Sequence, residues 1–429
     1  MRESFISSEI IIIEYLGSRA LSTRIESSVE ETPAGRAKSR RVRRWIGVVA
    51  AVVLLAGVTT VVAVSKGGDS QRSGALSSGD FKAKTLAVGG GHSCALTSYS
   101  VKCWGQNTNG QLGNNTYVPS KVPVLVGGRY KEASISAGKH HTCEINTDRF
   151  VKCWGYNLYG QLGNGGDDDS SVPVSASGIS NVFDVSVGGY HTCALLADQT
   201  IKCWGNSSSG QLGNGTITTL SGPVLVTGIN TATAVSSGTQ HSCALLSGGT
   251  VKCWGLNSSG QLGYGSYANS SVPVSVTGIT TATAISAGSS HSCALLADQT
   301  IKCWGNNGYG KLGNDTTSNS NIPLLVTGIN NAISISAGKE HSCALLFGGA
   351  IKCWGDNSYG ELGDGTFTSS ASPVSVTAIP IAKEIMVGQN RSCALDNLGH
   401  IKCWGDNGYG GLGNGTVINS SLPVLVTGY

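Results

Sequence analysis

Short apolar segments separated by glycine, asparagine and serine recur along most of the chain. In one unit, an alternating segment at 280–287 ends at a glycine and is followed by SCALL at 292–296. A second strand, TIKCWG at 300–305, then leads through a Gly/Asn-rich loop to the Pro-led segment IPLLV at 322–326. Four short strands separated by such turns predict one blade of a β-propeller.

The four-strand unit repeats every fifty residues. The triplet Cys-Trp-Gly marks the period, beginning at Cys103, Cys153, Cys203, Cys253, Cys303, Cys353 and Cys403. Seven units predict an all-β, seven-bladed β-propeller over residues 81–429. An open β-solenoid is the alternative, but solenoid coils are shorter and need caps. A last strand that pairs beside the first blade would close the ring and remove exposed edges.

An uncharged apolar run at 45–64 precedes the repeats. Its length suits a single transmembrane helix, and the basic residues before it place the N-terminus inside the cell and the propeller outside. Residues 1–44 are then expected to be a disordered cytoplasmic tail, and 65–80 a Gly/Ser-rich linker. The alternative is a cleaved signal peptide, which would leave a secreted propeller.

The cysteines indicate a disulfide in every blade. If Cys193 faces Cys203, then Ala197, Asp198 and Gln199 form a three-residue loop; the first unit keeps the pairing with a loop one residue shorter. Facing residues are close enough for disulfides, which need an oxidising compartment. Zinc bound by His-x-Cys and a later cysteine, or reduced cysteines in a cytosolic body, are the alternatives. The expected pairs are Cys94–Cys103, Cys143–Cys153, Cys193–Cys203, Cys243–Cys253, Cys293–Cys303, Cys343–Cys353 and Cys393–Cys403.

The charge distribution argues against nucleic acid as a partner. The chain has a net charge of +4, and most of this charge lies in residues 1–44, so the repeats are nearly neutral. No nucleophile–base pair, phosphate loop or paired carboxylates stand out, so we expect neither an enzyme nor a cofactor. The run Asp167–Asp169 is interpreted as a solvated turn rather than a calcium loop, because flanking ligands are missing.

One motif runs through all the units. Gly-x-x-His-x-Cys-Ala-Leu, followed by Val/Ile-x-Cys-Trp-Gly-x-Asn-x-x-Gly-x-Leu-Gly, is represented by 189–196 and 201–213. It strongly resembles the repeat of the regulator of chromosome condensation family, and the resemblance covers residues 80–429. The family's fold is a seven-bladed propeller. Its members include a nuclear guanine-nucleotide exchange factor that binds chromatin, a plant ultraviolet photoreceptor and a bacterial inhibitor of β-lactamases.

These observations predict a membrane-anchored extracellular propeller that acts as a scaffold for binding a protein or another ligand. The repeats carry no insertion, whereas the family's exchange factor uses a wedge that interrupts blade regularity. Two alternatives remain open: an exchange factor for a small GTPase, as the resemblance implies, and a carbohydrate-binding or wall-associated structural protein.

Two sets of residues are candidates for specific roles. A histidine holds one position in six units and Arg391 replaces it in the seventh; we interpret it as a hydrogen bond between blades rather than a metal or pH-sensing ring. Each triplet tryptophan is expected to pack between blades rather than to stack on a sugar. Positions before the histidine and after Trp-Gly vary, which indicates either a binding rim, because loops on a fixed scaffold often bind partners, or drift on a solvated surface. These candidate rim residues, with Tyr156, Tyr190 and Leu256 as anchors, are Lys139, His140, Tyr156, Tyr190, Gln240, Leu256, Lys339, Glu340 and Asn390.

Overall fold

The computed structural model describes residues 12–16, 19–23, 82–97, 100–127 and 132–428. Strands β1 (Ile12–Leu16) and β2 (Arg19–Thr23) pair in antiparallel fashion, within the segment expected to be a disordered tail. The expected transmembrane helix and the linker after it lie outside the described residues. Within the described part of the chain, no helix is long and apolar enough to cross a membrane.

From Lys82 onward the described chain forms seven antiparallel sheets of four strands, each built from consecutive strands. The first strands are β3 (Ala83–Val88), β7 (Glu132–Ala137), β11 (Val182–Val187), β15 (Ala232–Ser237), β19 (Ala282–Ala287), β23 (Ala332–Ala337) and β27 (Ala382–Val387). The second strands are β4 (His92–Thr97), β8 (His141–Asn146), β12 (His191–Leu196), β16 (His241–Leu246), β20 (His291–Leu296), β24 (His341–Leu346) and β28 (Arg391–Asp396).

The outer half of each sheet follows the same order. The third strands are β5 (Val101–Gly105), β9 (Val151–Gly155), β13 (Ile201–Gly205), β17 (Val251–Gly255), β21 (Ile301–Gly305), β25 (Ile351–Gly355) and β29 (Ile401–Gly405). The fourth strands are β6 (Ser120–Leu125), β10 (Ser170–Ser175), β14 (Leu220–Leu225), β18 (Ser270–Ser275), β22 (Ser320–Leu325), β26 (Ser370–Ser375) and β30 (Ser420–Leu425). We number the sheets blade 1 (β3–β6) to blade 7 (β27–β30).

The hairpin between the second and third strands has the predicted register. Cys193 faces Cys203, and the Leu196 amide donates to the Thr200 carbonyl at 2.9 Å across a three-residue loop. In blade 1, the Thr97 amide donates to the Ser100 carbonyl, so the loop is one residue shorter. All seven expected cysteine pairs are disulfide-bonded, with Cα atoms 4.0–4.1 Å apart. No described cysteine is therefore left to bind zinc.

The core lies between neighbouring blades. Each tryptophan of the Cys-Trp-Gly triplets is completely buried and packs against the preceding blade: Trp204 belongs to a cluster with Cys153 and Leu162 of blade 2. The same arrangement joins the ends of the ring, where Trp104 of blade 1 packs with Ile401 and Leu412 of blade 7. Burial of these indoles confirms the packing role and leaves no face for a sugar to stack on.

The ring closes differently from the sequence-based expectation. Strand β30 pairs with β29 of its own blade and not with the first blade. Every unit begins at its first strand and ends at its fourth, so each blade is complete without a strand from another unit. Blades 7 and 1 are instead joined by packing and by hydrogen bonds, from Gln389 N–H to the Gly89 carbonyl at 3.3 Å and from Trp104 Nε1 to the Gly411 carbonyl at 2.9 Å.

Two matched departures from the repeat pattern lie at this closing interface. Arg391 is fully buried and donates to the carbonyls of His92 and Gly90 in blade 1, at 3.2 and 3.1 Å. Four other blades have glutamine at the position of Gly411. A Cβ atom on Gly411 would lie 2.5 Å from Cζ of Arg391. The missing side chain therefore makes room for the guanidinium group that joins blade 7 to blade 1.

We predict that Gly411→Ala lowers the free energy of unfolding by about 1–3 kcal/mol, because the new methyl group displaces the buried guanidinium. Gly222→Ala is the matched control, since a Cβ atom there meets nothing within 4 Å. The double variant Arg391→His with Gly411→Gln restores the pair found in other blades and should be more stable than Gly411→Gln alone. Denaturant unfolding measures all four; equal stability of the two alanine variants would contradict the matched pair.

Candidate functional site

A histidine-to-hydroxyl contact joins each of blades 1 to 6 to the next blade. His92 Nε2 lies 2.8 Å from Thr142 Oγ1, and five other histidines make the same contact at 2.8–2.9 Å. Thr142 Oγ1 itself donates to the Gln111 carbonyl at 3.0 Å. A hydroxyl has one hydrogen, so the histidine Nε2 must carry the proton and donate to it.

The carbonyl that accepts the hydrogen bond of this hydroxyl also accepts one from a tryptophan indole. Trp154 Nε1 donates to the Gln111 carbonyl at 2.9 Å, filling its second lone pair. At all seven interfaces, the backbone carbonyl of the residue before Leu-Gly accepts one hydrogen bond from a Ser/Thr hydroxyl and one from a tryptophan indole. The serine or threonine between His and Cys was missed by the sequence analysis, although its hydroxyl recurs in every unit.

The six histidines are neutral structural groups. Their side chains are fully buried, and burial is the main cause that lowers the pKa of His92, His191 and His341 to about 3. Among the described residues, no group of histidines, cysteines or carboxylates is placed to hold a metal. This geometry confirms the hydrogen-bonding interpretation of the repeat histidine.

The variable positions meet on one face of the propeller. The Tyr156 amide donates to the His140 carbonyl at 3.0 Å, and the same bond joins Leu256 to Gln240 at 2.8 Å. It recurs in each blade, so the residue after Trp-Gly always lies beside the residue before His. We call this surface the rim face; it comprises the turns after the first strands and the loops after the third strands.

The turns of the rim face are held around a central cavity of about 100 Å³. The Gly189 amide of blade 3 donates to the Gly238 carbonyl of blade 4 at 3.1 Å, and equivalent bonds link most neighbouring turns. Lys139 and Lys339 are part of this lining. Rim residues are therefore positioned by contacts that run around the ring.

Blades 2 and 3 carry a compact aromatic cluster on the rim face, which we call the tyrosine cluster: Tyr156, Tyr159, Tyr190, His140 and Lys139. The tyrosine rings are 5.6–6.2 Å apart between centroids, in edge-to-face arrangements, and His140 lies 6.0 Å from Tyr156. Lys139 Nζ donates to the Tyr190 hydroxyl at 2.8 Å and lies 5.0 Å from its ring centroid. Such half-buried aromatic groups are typical anchors of protein interfaces.

Burial shifts the pKa values of the cluster's histidine and of Tyr156 in the directions that favour their uncharged forms. Desolvation, followed by the charge of Lys139, lowers the pKa of His140 to about 4. Desolvation, followed by Tyr159, raises the pKa of Tyr156. The cluster therefore presents neutral rings with one adjacent ammonium group.

The aspartate run includes a residue that fixes the loop carrying part of the tyrosine cluster. Asp169 Oδ1 accepts the Asn157 amide at 2.7 Å, and its Oδ2 accepts Asn109 Nδ2 of blade 1 at 2.9 Å. Asp167 and Asp168 are exposed. Asp169 therefore fixes a loop and the junction of two blades, a role that the sequence analysis did not predict.

The other candidate rim residues lie apart from the tyrosine cluster. Gln240 and Leu256 are on blade 4, Lys339 and Glu340 on blade 6, and Asn390 on blade 7. Glu340 forms an ion pair with the buried Lys311 of blade 5, which takes the place of a repeat glutamine. Tyr159 was also missed; its place three residues after Tyr156 in the same loop was the available signal.

Family models for the regulator of chromosome condensation (RCC1) repeat match more than half of the chain. One matches residues 101–145, 152–195, 203–245, 248–295 and 303–345. The chain belongs to the RCC1 repeat family. A second model of the same repeat matches residues 184–211, 232–261, 282–311, 332–361 and 383–410 of this RCC1 propeller. A search of curated proteins found no match.

Solved structures share the RCC1 fold. Human WBSCR16 is 24% identical with a TM-score of 0.70, covering 77% of this chain and 94% of its own. Prp20p from Saccharomyces cerevisiae, which binds Gsp1p and histones, is 21% identical with a TM-score of 0.69, covering 81% and 88%. Yeast RCC1 (Prp20) bound to Kap60 is 20% identical with a TM-score of 0.68, covering 86% and 91%. At these identities the likeness concerns the fold.

The buried histidines predict acid-sensitive stability. Folding lowers the pKa of His241 to about 4 and that of His191 to about 3, below the ordinary 6.5. Between these values only the unfolded chain takes up the proton, so stability falls as the pH falls from about 6.5 to 3, by up to about 1.4 kcal/mol per pH unit for each histidine. Denaturant unfolding across this range measures the slope. His241→Gln should make it shallower, and an unchanged slope would contradict the assignment.

Proposed function

We propose that this RCC1 propeller is anchored in the cell membrane, stands outside the cell and binds a protein partner through the tyrosine cluster. The observation that carries the binding role is the convergence of Tyr156, Tyr159 and Tyr190 from two blades beside Lys139. Tyrosine stands at the position of Tyr159 in blades 5, 6 and 7 as well, but no other blade has tyrosine at the positions of Tyr156 or Tyr190, so the repeat itself does not require the cluster.

Rigidity of the site favours a binding role. The backbone under the cluster is fixed by the disulfides, the hydrogen bonds around the central cavity and the carboxylate of Asp169. A partner therefore meets rings that are already ordered, and binding loses little side-chain entropy. Large, rigid aromatic groups that are partly buried contribute most of the energy in many protein interfaces.

Export is supported by the apolar run at 45–64 and by the disulfide in every blade. Disulfides persist in oxidising compartments and are rare in the cytosol. A second candidate, implied by the family, is nucleotide exchange on a small GTPase, and the likeness of fold to Prp20p, which binds Gsp1p, is its support. That function would place the propeller in the cytosol or nucleus, where the cysteines would be reduced.

The compartment can be tested by non-reducing mass measurement of protein isolated from its own cells under rapid alkylation. We expect seven disulfides and no alkylated cysteine, with residues 45–64 retained in the membrane fraction. Cells lysed in reductant before alkylation supply the control in which all cysteines become labelled. Fourteen alkylated cysteines in a soluble cytosolic fraction would overturn the extracellular proposal and favour the exchange factor.

The binding site can be tested with a photo-crosslinking residue at Leu158, an exposed position within the cluster's loop. On intact cells it should capture a discrete protein partner, and Tyr190→Ala should weaken that partner's binding about thirty-fold, as loss of an interface anchor does. Tyr309→Ala is the matched control, because this tyrosine occupies the position of Tyr159 on blade 5, away from the cluster. An equal effect of both substitutions, or capture of a glycan alone, would contradict the proposed protein site.

A further inference from the structure

The face opposite the rim face is where the described propeller chain begins. Lys82 precedes β3, whose first residue, Ala83, pairs with Thr97 at the hairpin end of blade 1. A Cβ atom on Gly399, in the last hairpin loop, would lie 2.8 Å from Lys82 Cβ. We call this surface the entry face; it comprises the loops between the second and third strands and the connections between blades.

Although the repeats are nearly neutral in sum, their charges are segregated between the two faces. Lysine occupies the second position of every third strand, and Nζ of Lys102, Lys302 and Lys402 donates to carbonyls that lie just after fourth strands, at the entry face. The described cations toward the entry face are Lys82, Lys84, Lys102, Arg149, Lys152, Lys202, Lys252, Lys302, Lys352, Lys383 and Lys402. The described carboxylates on that side are fewer: Asp148, Asp184, Asp198, Asp298, Glu384, Asp396 and the buried Glu144.

The rim face has the opposite balance. Its described cations are Lys121, Lys139, Lys311, Lys339 and Arg391. Its described carboxylates are Asp167, Asp168, Asp169, Asp315, Glu340, Asp356, Glu361, Asp364 and Asp406. The entry face is therefore the basic side of the propeller, and an anionic surface would be attracted to it rather than to the rim face.

Large apolar side chains are also exposed on the entry face. Phe347 and Leu398 project from hairpin loops with 76% and 61% of their surface exposed, and Phe183 follows a blade connection with 62% exposed. The Arg149 guanidinium lies 5.9 Å from the Phe183 ring centroid. Basic groups next to exposed aromatic and aliphatic side chains are the composition of surfaces that bind at the headgroup region of a bilayer.

The place where the propeller chain begins, at Lys82, favours a membrane over other anionic surfaces as the binding partner of the entry face. In general, a flexible Gly/Ser-rich segment of sixteen residues, as many as 65–80 contains, has an end-to-end distance of about 20–25 Å. It would hold Lys82, and with it the entry face, close to a bilayer spanned by residues 45–64. We infer that the entry face lies against anionic lipid headgroups, so that the tyrosine cluster points away from the membrane. This inference rests on the membrane anchoring in the proposed function.

Lysine labelling of the full chain in lipid nanodiscs tests this orientation. The discs contain phosphatidylglycerol and phosphatidylcholine in equal parts, and acetylation by a water-soluble reagent is measured by mass spectrometry against the chain in neutral detergent. We expect acetylation of the exposed lysines Lys82, Lys84 and Lys383 to slow about five-fold. Exposed Lys121 and Lys339 on the rim face should react at the same rate in both.

Charge reversal supplies matched variants. Lys84→Glu with Lys383→Glu should abolish the protection of Lys82, whereas Lys121→Glu with Lys339→Glu, the same change on the rim face, should preserve it. Insertion into the disc without selective protection would overturn the orientation alone. A chain that fails to insert would contradict the anchored function as well. Equal protection of these lysines in detergent by duplex DNA would indicate a general polyanion site and also overturn the assignment to lipid.

Discussion

The propeller depends on one carbonyl group in each blade that accepts two hydrogen bonds from the next blade. The acceptor is the residue before Leu-Gly, and the donors are a Ser/Thr hydroxyl and a tryptophan indole, as with Gln111, Thr142 and Trp154. An unsatisfied polar group at this depth would cost about 1–3 kcal/mol, so the indole cannot be buried without this partner. The histidine that donates to the same hydroxyl fixes its direction. The contact that packs two blades together thus also supplies the hydrogen bonds of the buried polar groups, and this holds at all seven interfaces.

The same contact explains the glycine in Leu-Gly. At Gly163 the backbone has φ +74°, and a Cβ atom would lie 2.6 Å from Nε1 of Trp204. Glycine therefore meets both the left-handed conformation and the close approach of the indole. Blade 7 solves the problem with other residues: Arg391 replaces the histidine and Gly411 supplies the accepting carbonyl without a side chain. The ring is closed by a specific variation of the repeat, and strand exchange between blades is not needed.

Because backbone and buried groups make the hydrogen bonds between blades, the residues that take no part in them are free to differ from blade to blade. The rim face combines a neutral aromatic cluster with a surplus of carboxylates, whereas the entry face is basic and partly apolar. In the proposed arrangement the two faces have separate tasks, one toward the membrane and one toward a partner. The two faces carry opposite charge, so the propeller has a polarity that the nearly zero net charge of the repeats does not reveal.

The sequence by itself determined the blades, their number, the hairpin register and the cysteine pairs, because each depends on spacing within one repeat. It also singled out Tyr156 and Tyr190 as candidate rim residues, since their positions vary while the neighbouring His and Trp positions do not. Closure through Arg391, the support from Asp169 and the addition of Tyr159 to the cluster depended on contacts between different blades or loops. So did the segregation of charge. The alternation of apolar and polar residues along a strand does not determine which face of the propeller a side chain reaches. Only the folded ring brings residues from separate repeats onto one face.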